Sequence, residues 1–364
     1  MKRIAYSLFV ALLLWATPTE ARRPKPHADE EVRNVVVMVG DGMGLAQVAA
    51  LMIENRYEPT SFDRAQYTAI CKTYSANNRV TDSGASATAM GTGHKTDNSR
   101  IGVLPDDTLV ENLVELAKRR NLATGIVVTS YLSDATPAGF TAHTKNRRNY
   151  RTIAEMLAAQ RLDIAAGGGR TYFEEQEGRS LIAEMQAQGY TYTETPEAFL
   201  AVDRLPILGL FADKYMPSAS ERGDYLPRAT EHTLELLGRE GKGFFAMIEG
   251  SQIDIGCHNN DPQTMLDEVR DFDAAVHKAF DYADAHPGTL VVVVADHETG
   301  GLTIVSNNKD FTASESGIEY RYSTTGHSGS PVVLYAYGTG AQHFSGVMEN
   351  TEIFARIKKL LDLK

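Results

Sequence analysis

Two cysteines in 364 residues exclude a disulfide scaffold, even for a secreted chain. Two separately buried thiols at Cys71 and Cys257 are the expected arrangement. Basic excess is also lacking. The formal net charge is -11, which argues against nucleic acid or an anionic membrane surface as partner. No apolar run is long enough to span a bilayer as a helix. The one candidate, Ile4–Ala16, is short and follows Lys2 and Arg3. Thr19-Glu20-Ala21 then supplies the small residues of a cleavage site. Residues 1–21 are therefore expected to be a removable export signal, and 22–31 a polar, Pro-containing leader. The nucleophile elbow G-x-S-x-G of serine acyl hydrolases is absent, with GHSGS (326–330) the nearest miss. GDGMG (40–44) has neither the GK[ST] ending of a phosphate loop nor a full dinucleotide fingerprint.

What is present is a globular composition, 43% hydrophobic and 23% charged, with strand-length apolar runs alternating with helical patterns. NVVVMVG (34–40) precedes a helical 45–55. Helical 109–120 precedes ATGIVVTS (123–130). Helical 150–160 precedes LDIAAGGG (162–169). FFAMIEG (244–250) precedes a long helix over 263–286 that Pro287-Gly288 ends. TLVVVVADH (289–297) is almost purely β-branched, as a strand buried on both faces would be. PVVLYAYG (331–338) and a helix over 351–364 close the chain. This alternation predicts an α/β fold: a three-layer sandwich with a mostly parallel central sheet flanked by helices. A single catalytic domain is expected over 32–364, with 170–240 its least regular part.

In such folds functional groups gather in loops at the carboxyl ends of strands. Four of these loops carry Asp41, then Glu249, Asp254 and His258, then Asp296 and His297, and finally His327. Each has a plain structural reading: Asp41 capping a helix, Asp254 and His258 forming a surface i,i+4 pair, His327 a loop histidine. Taken together, four carboxylates and three imidazoles are the ligand set of Zn²⁺ beside a harder ion such as Mg²⁺. VTDSGASATA (80–89) places Ser83 where a small-residue helix begins, as cap or nucleophile. A bound Zn²⁺ would activate it without a histidine base. DATPAGFTAHTKNRR (134–148) adds Asp134 and Thr136 as hard oxygens and Arg147 as a fork for two phosphate oxygens.

With these motifs in this order, the sequence resembles the alkaline phosphatase family. GDGMG, DSGASATA, DATPA, EGSQIDIGCH, ADHETGG and TTGHS carry the resemblance, from about residue 34 to 338. It implies two Zn²⁺ and one Mg²⁺. Asp254, His258 and His327 would hold one zinc; Asp41, Asp296, His297 and Ser83 the other. Asp41 would bridge to Mg²⁺, with Thr136, Glu249 and Asp134 completing that site directly or through water. It also implies hydrolysis of phosphate monoesters through a phosphoserine on Ser83, with Arg147 on the phosphate oxygens, in an exported protein that could form a homodimer. Three divalent ions would outweigh the five carboxylates, so an acidic protein can bind a dianion. Ile255 stands beside Asp254 where one bacterial branch has Lys and another Trp or His, leaving Asp134 without a neighbouring lysine. The alternatives are a phosphodiesterase or phosphonate hydrolase of the same superfamily, or a periplasmic metal- or phosphate-binding protein. A sulfatase would need a CxPxR-type site, and Cys71 is followed by KTY.

Overall fold

The computed structural model describes residues 30–305 and 319–364. The expected signal (1–21) and most of the polar leader (22–31) lie outside them. Strands β1 (Asn34–Gly40), β2 (Tyr67–Lys72), β3 (Ala123–Tyr131), β4 (Ile164–Gly168), β5 (Thr191–Thr193), β6 (Ile207–Leu210), β7 (Phe244–Gly250) and β8 (Thr289–Val294) join Val332–Gly338 and Gly346–Glu349 in one ten-stranded sheet. Its order is Gly346–Glu349, β2, Val332–Gly338, β8, β1, β7, β3, β4, β6, β5. Only Val332–Gly338 runs against the rest, pairing antiparallel with β8 and β2. The expected mostly parallel sheet is thus what forms.

Helices cover both faces. Phe244 and Phe245 are neighbours on β7 and point to opposite sides, as the strand period requires. The Phe244 ring meets Tyr282 on the long helix Pro262–Ala285, and the Phe245 ring meets Phe140 on the other face. Asp261 caps the long helix by accepting from Gln263 N and Thr264 N, and Pro262 sits at its first position. The β-branched run of β8 is fully buried, and β1 sits between β8 and β7 with its interior buried on both faces. Each buried valine there contributes about 1.5–3 kcal/mol, so the strand ends that bear the site rest on the tightest part of the core.

The stretch 170–240 is more regular than the sequence suggested. It contains β5, β6 and a fifteen-residue helix, Tyr225–Arg239. The strands escaped notice because runs of three and four residues carry no readable period. This stretch is pinned to the long helix by a buried ion cluster. Arg222 Nη2 lies 2.5 Å from Glu268 and 2.6 Å from Asp271, with side-chain exposures of 1%, 1% and 7%. Cys71 and Cys257 are buried and unbridged, as expected.

Helices α1 (Leu45–Glu54), α2 (Ser83–Thr92), α3 (Leu113–Arg119), α4 (Ala135–Ala138) and α5 (Tyr150–Gln160) surround the functional loops. The small residues of α2 have a packing reason. A Cβ on Gly139 would lie 2.5 Å from Ala87 Cβ, so α2 and the chain after α4 touch backbone to backbone. The segment that follows is tied down by His143. Its Nδ1 lies 3.1 Å from Gly102 O and its Nε2 2.8 Å from Glu115 Oε1. Both partners only accept, so a neutral ring satisfies one of them and a charged ring both.

The Glu115 contact accordingly raises the His143 pKa from its ordinary 6.5. Glu115 is pushed up by burial but held below its ordinary 4.5 by His143 and the Asn112 N–H. The stabilisation is therefore complete between those ordinary values. It is lost as pH rises through the raised His143 value, or falls through the lowered Glu115 value. Urea midpoints of wild type and His143→Gln across pH should show a margin that is widest between those two ordinary values and shrinks toward alkali. A margin that stays flat into alkaline pH would show that the pair is not charged.

Candidate active site

Asp41, Asp134, Glu249, Asp254 and Asp296 all lie at or just past the carboxyl ends of parallel strands β1, β3, β7 and β8. Gly42 makes the first turn possible. Its φ is +73°, and a Cβ there would lie 2.9 Å from Asp254 Cα. Asp41 does not cap the helix that follows: the cap position of α1 is Gly44, with no side-chain cap bond. Asp41 Oδ1 and Asp296 Oδ2 are instead buried with no hydrogen-bond partner among the described residues.

The three imidazoles converge, and their tautomers follow from their partners. His327 Nδ1 lies 2.9 Å from Thr81 O, and His258 Nδ1 2.5 Å from Thr325 O. Carbonyls only accept, so each Nδ1 carries the proton. Thr299 Oγ1 donates to Asp254 Oδ1 at 2.5 Å, which leaves its oxygen to accept from His297 Nδ1 at 3.1 Å. In their neutral forms all three rings therefore aim an Nε2 lone pair inward. His327 Nε2 and His258 Nε2 face each other at 3.3 Å, with Asp254 Oδ2 3.1 Å from the latter. His297 Nε2 lies 3.1 Å from Asp296 Oδ2 and 3.6 Å from Asp41 Oδ1.

Lone pairs facing lone pairs and carboxylates repel unless a cation or a proton lies between them, and the Asp254 contact pushes His258 up to about 9. Four ligands at about 2.0–2.1 Å around a tetrahedral Zn²⁺ stand about 3.3 Å apart, the spacing seen here. Ligand atoms of Asp254, His258 and His327 fall within 4.8 Å of one another, as do those of Asp41, Asp254 and His297. The donor set thus fits two cations, with Asp254 near both. The acidic groups register the crowding. Burial, then Asp296 and Asp254, push Asp41 well above the usual range. Burial, then the Asp254 charge, push Asp296 up to about 6. Burial and then Asp134 push Glu249 up to about 8, against hydroxyl contacts from Ser251 and Thr136. Asp254 is the exception: burial works against it, yet the His258 contact and the other imidazoles hold it below the usual range. The pair Asp254–His258 is part of the cluster, not a solvated surface pair.

Ser83 is the first residue of α2, and Asp82 caps that helix by accepting from Ala85 N at 2.9 Å. Ser83 Oγ lies 3.2 Å from His297 Nε2. This is not a relay triad, in which a carboxylate holds the far nitrogen. Here serine and carboxylates meet the same nitrogen. Arg147 Nη1 lies 3.1 Å from Asp82 Oδ2, and Nη2 3.8 Å from Asp134 Oδ1. Asp82 Oδ2 also accepts from Ser99 N at 2.9 Å, so one carboxylate fixes both the serine turn and the guanidinium. Thr136 is buried beside Asp134, and Ile255 is half-buried beside Asp254.

The sequence reading missed Asp82, Thr299 and Tyr215 as members of this cluster. Asp82 and Thr299 had a local signal, one residue before Ser83 and two after His297. Tyr215, whose hydroxyl donates to Asp134 Oδ2 at 3.0 Å, had none. The functional residues named in the sequence otherwise come together in one cluster beyond the carboxyl ends of the sheet's central strands.

Comparisons with known proteins identify the family. The sequence profile of the alkaline phosphatase family matches residues 32–319. Alkaline phosphatase 4 of Bacillus subtilis is 32% identical, over 94% of this chain and 92% of its own. The alkaline phosphatase of Escherichia coli is 31% identical, over 93% and 88%. The solved alkaline phosphatase of the Antarctic bacterium TAB5 superposes with a TM-score of 0.85 at 35% identity, over 92% of this chain and 99% of its own. A histidine-to-aspartate mutant of that enzyme has Mg bound in its M3 site. A chain that matches the family profile over most of its length, and its solved members over their whole fold, belongs to the alkaline phosphatase family of metal-dependent phosphomonoester hydrolases.

Proposed function

We propose that this enzyme hydrolyses its monoester in two displacements, through a phosphoserine on Ser83. The observation that carries the reading is the placement of Ser83 Oγ, 3.2 Å from the inward-facing Nε2 of His297, which itself lies 3.1 Å from Asp296 Oδ2 and 3.6 Å from Asp41 Oδ1. Asp254, His258 and His327 would hold one Zn²⁺, and Asp41, Asp296, His297 and Ser83 the second. Asp134, Thr136 and Glu249, with Asp41 between, would hold Mg²⁺ directly or through water, as the hard oxygen donors that this ion prefers. When bound, these ions lower the pKa of a nearby hydroxyl or water and offset charge on phosphate oxygens.

The chain's own residues do the rest. Asp82 holds the α2 turn so that Ser83 Oγ faces phosphorus, and the positive end of α2 favours the phosphoryl charge. Ser83 Oγ bonds to phosphorus as the bond to the leaving oxygen breaks. Arg147, aimed by Asp82, binds two non-bridging oxygens with its planar fork. Water then attacks the phosphoserine, the bond to Oγ breaks, and inorganic phosphate leaves. Residues 1–21 would be removed on export, leaving the leader 22–31 followed by one catalytic unit over 32–364. Among the described residues no helix is long and apolar enough to cross a membrane.

Ser83→Ala should lose most turnover while retaining its metals, because serine is one ligand among several. Exhaustive chelation should abolish wild-type activity, with Zn²⁺ plus Mg²⁺ restoring more than Zn²⁺ alone. Elemental analysis beside steady-state kinetics reads both. Near-native turnover of the alanine variant would sink the phosphoserine.

Arg147 separates monoester from diester chemistry, the runner-up within the superfamily. A diester has an ester group where the fork expects an oxygen. Charged hydrogen bonds are worth about 1.5–3 kcal/mol each, so Arg147→Ser should cost monoester hydrolysis about one to three orders of magnitude in kcat/KM. Diester hydrolysis should fall much less, and Arg147→Lys should recover only part. Equal losses on a matched monoester and diester would make Arg147 a general electrostatic residue.

A further inference from the structure

We infer that Tyr215 is a positioning residue for the third cation site, fixing Asp134 where the sequence offers no lysine beside Asp254. The inference rests on the Mg²⁺ part of the proposed function. Tyr215 lies in the loop after β6, more than 80 residues along the chain from Asp134. Its hydroxyl donates to Asp134 Oδ2 at 3.0 Å, while Asp134 Oδ1 accepts from Ala135 N at 2.8 Å. The carboxylate is thus gripped at both oxygens, and Oδ1 is held toward Arg147.

The phenol is 39% exposed but is braced on one side and along its backbone. Its ring packs on Tyr131 with centroids 4.4 Å apart, and Tyr131 in turn meets Tyr150 and Tyr172. The backbone on either side is bound to the sheet: Gly169 N donates to Lys214 O at 2.8 Å, and Met216 N to Thr129 O at 3.1 Å. Gln252 Nε2, two residues before Asp254, donates to Met216 O at 2.9 Å. Ala219 N and Arg222 then anchor the same loop on Glu268 of the long helix. A side chain braced this way sets the rotamer of its partner. A partner that orients a metal's carboxylate typically changes metal affinity by 10–100-fold when removed.

Tyr215→Phe keeps the ring stack and deletes only the hydroxyl; Tyr215→Leu deletes both. Mg²⁺ binding to the Zn²⁺-loaded protein is measured by calorimetry, with zinc content and Tm recorded alongside. Tyr215→Phe should bind Mg²⁺ about tenfold more weakly than wild type, with zinc content and Tm held. Tyr215→Leu should also lower Tm. Wild-type Mg²⁺ affinity in Tyr215→Phe overturns the inference, as does a loss confined to Tyr215→Leu, which would make the residue structural only. If the Zn²⁺-loaded wild type itself takes up no Mg²⁺, the third-site reading fails and this inference with it, an outcome distinct from equal binding by the two proteins.

Discussion

The structure is organised around a repulsion. Asp41, Asp296 and Glu249 are packed together with little or no access to water, Asp254 is half-buried beside them, and three imidazole lone pairs face the same space. Burying one unpaired carboxylate costs several kcal/mol; burying several close together is tolerable when cations share the site. The alternative response is visible in the acids themselves, whose affinity for protons rises where no other positive charge is near. Asp254 escapes because three imidazoles and a threonine hydroxyl already serve it.

What holds such a cluster in place is the sheet beneath it. β1, β7 and β8 are adjacent, parallel and buried, so their last residues form a rigid row from which the carboxylates project. The outer contacts then fix orientation and not position. Thr81 O, Thr325 O and Thr299 Oγ1 choose one tautomer for each histidine; Asp82 chooses one direction for Arg147; Ala135 N and Tyr215 choose one rotamer for Asp134. Each is a single hydrogen bond at the rim, and each decides where a lone pair or a charge points.

The same division explains how the protein can favour a dianion while carrying a formal charge of -11. The net charge is spread over the surface and screened. The site's own sign is set locally by the ligand carboxylates, the cations they would hold, and Arg147. Phosphate would meet the positive end of α2, the guanidinium and the metal cluster within a few ångströms of one another.

The sequence by itself determined the α/β class, the central strands, and the identity of nearly every chemical group in the site. It could do so because β-branched runs are long enough to read, and because loops after such strands are where ligands collect. It also carried the family resemblance through six motifs. It could not show that 170–240 completes the sheet, since three- and four-residue strands have no period, nor that Asp41 turns an unpartnered Oδ1 into the site instead of capping α1. The direction of the His258 and His327 rings was likewise hidden, because each tautomer is set by a partner that is distant in the chain. Tyr215 is the plainest case. Nothing in its neighbours marks it, and only the parallel order β3, β4, β6, which brings the loop after β6 over the end of β3, puts its hydroxyl on Asp134.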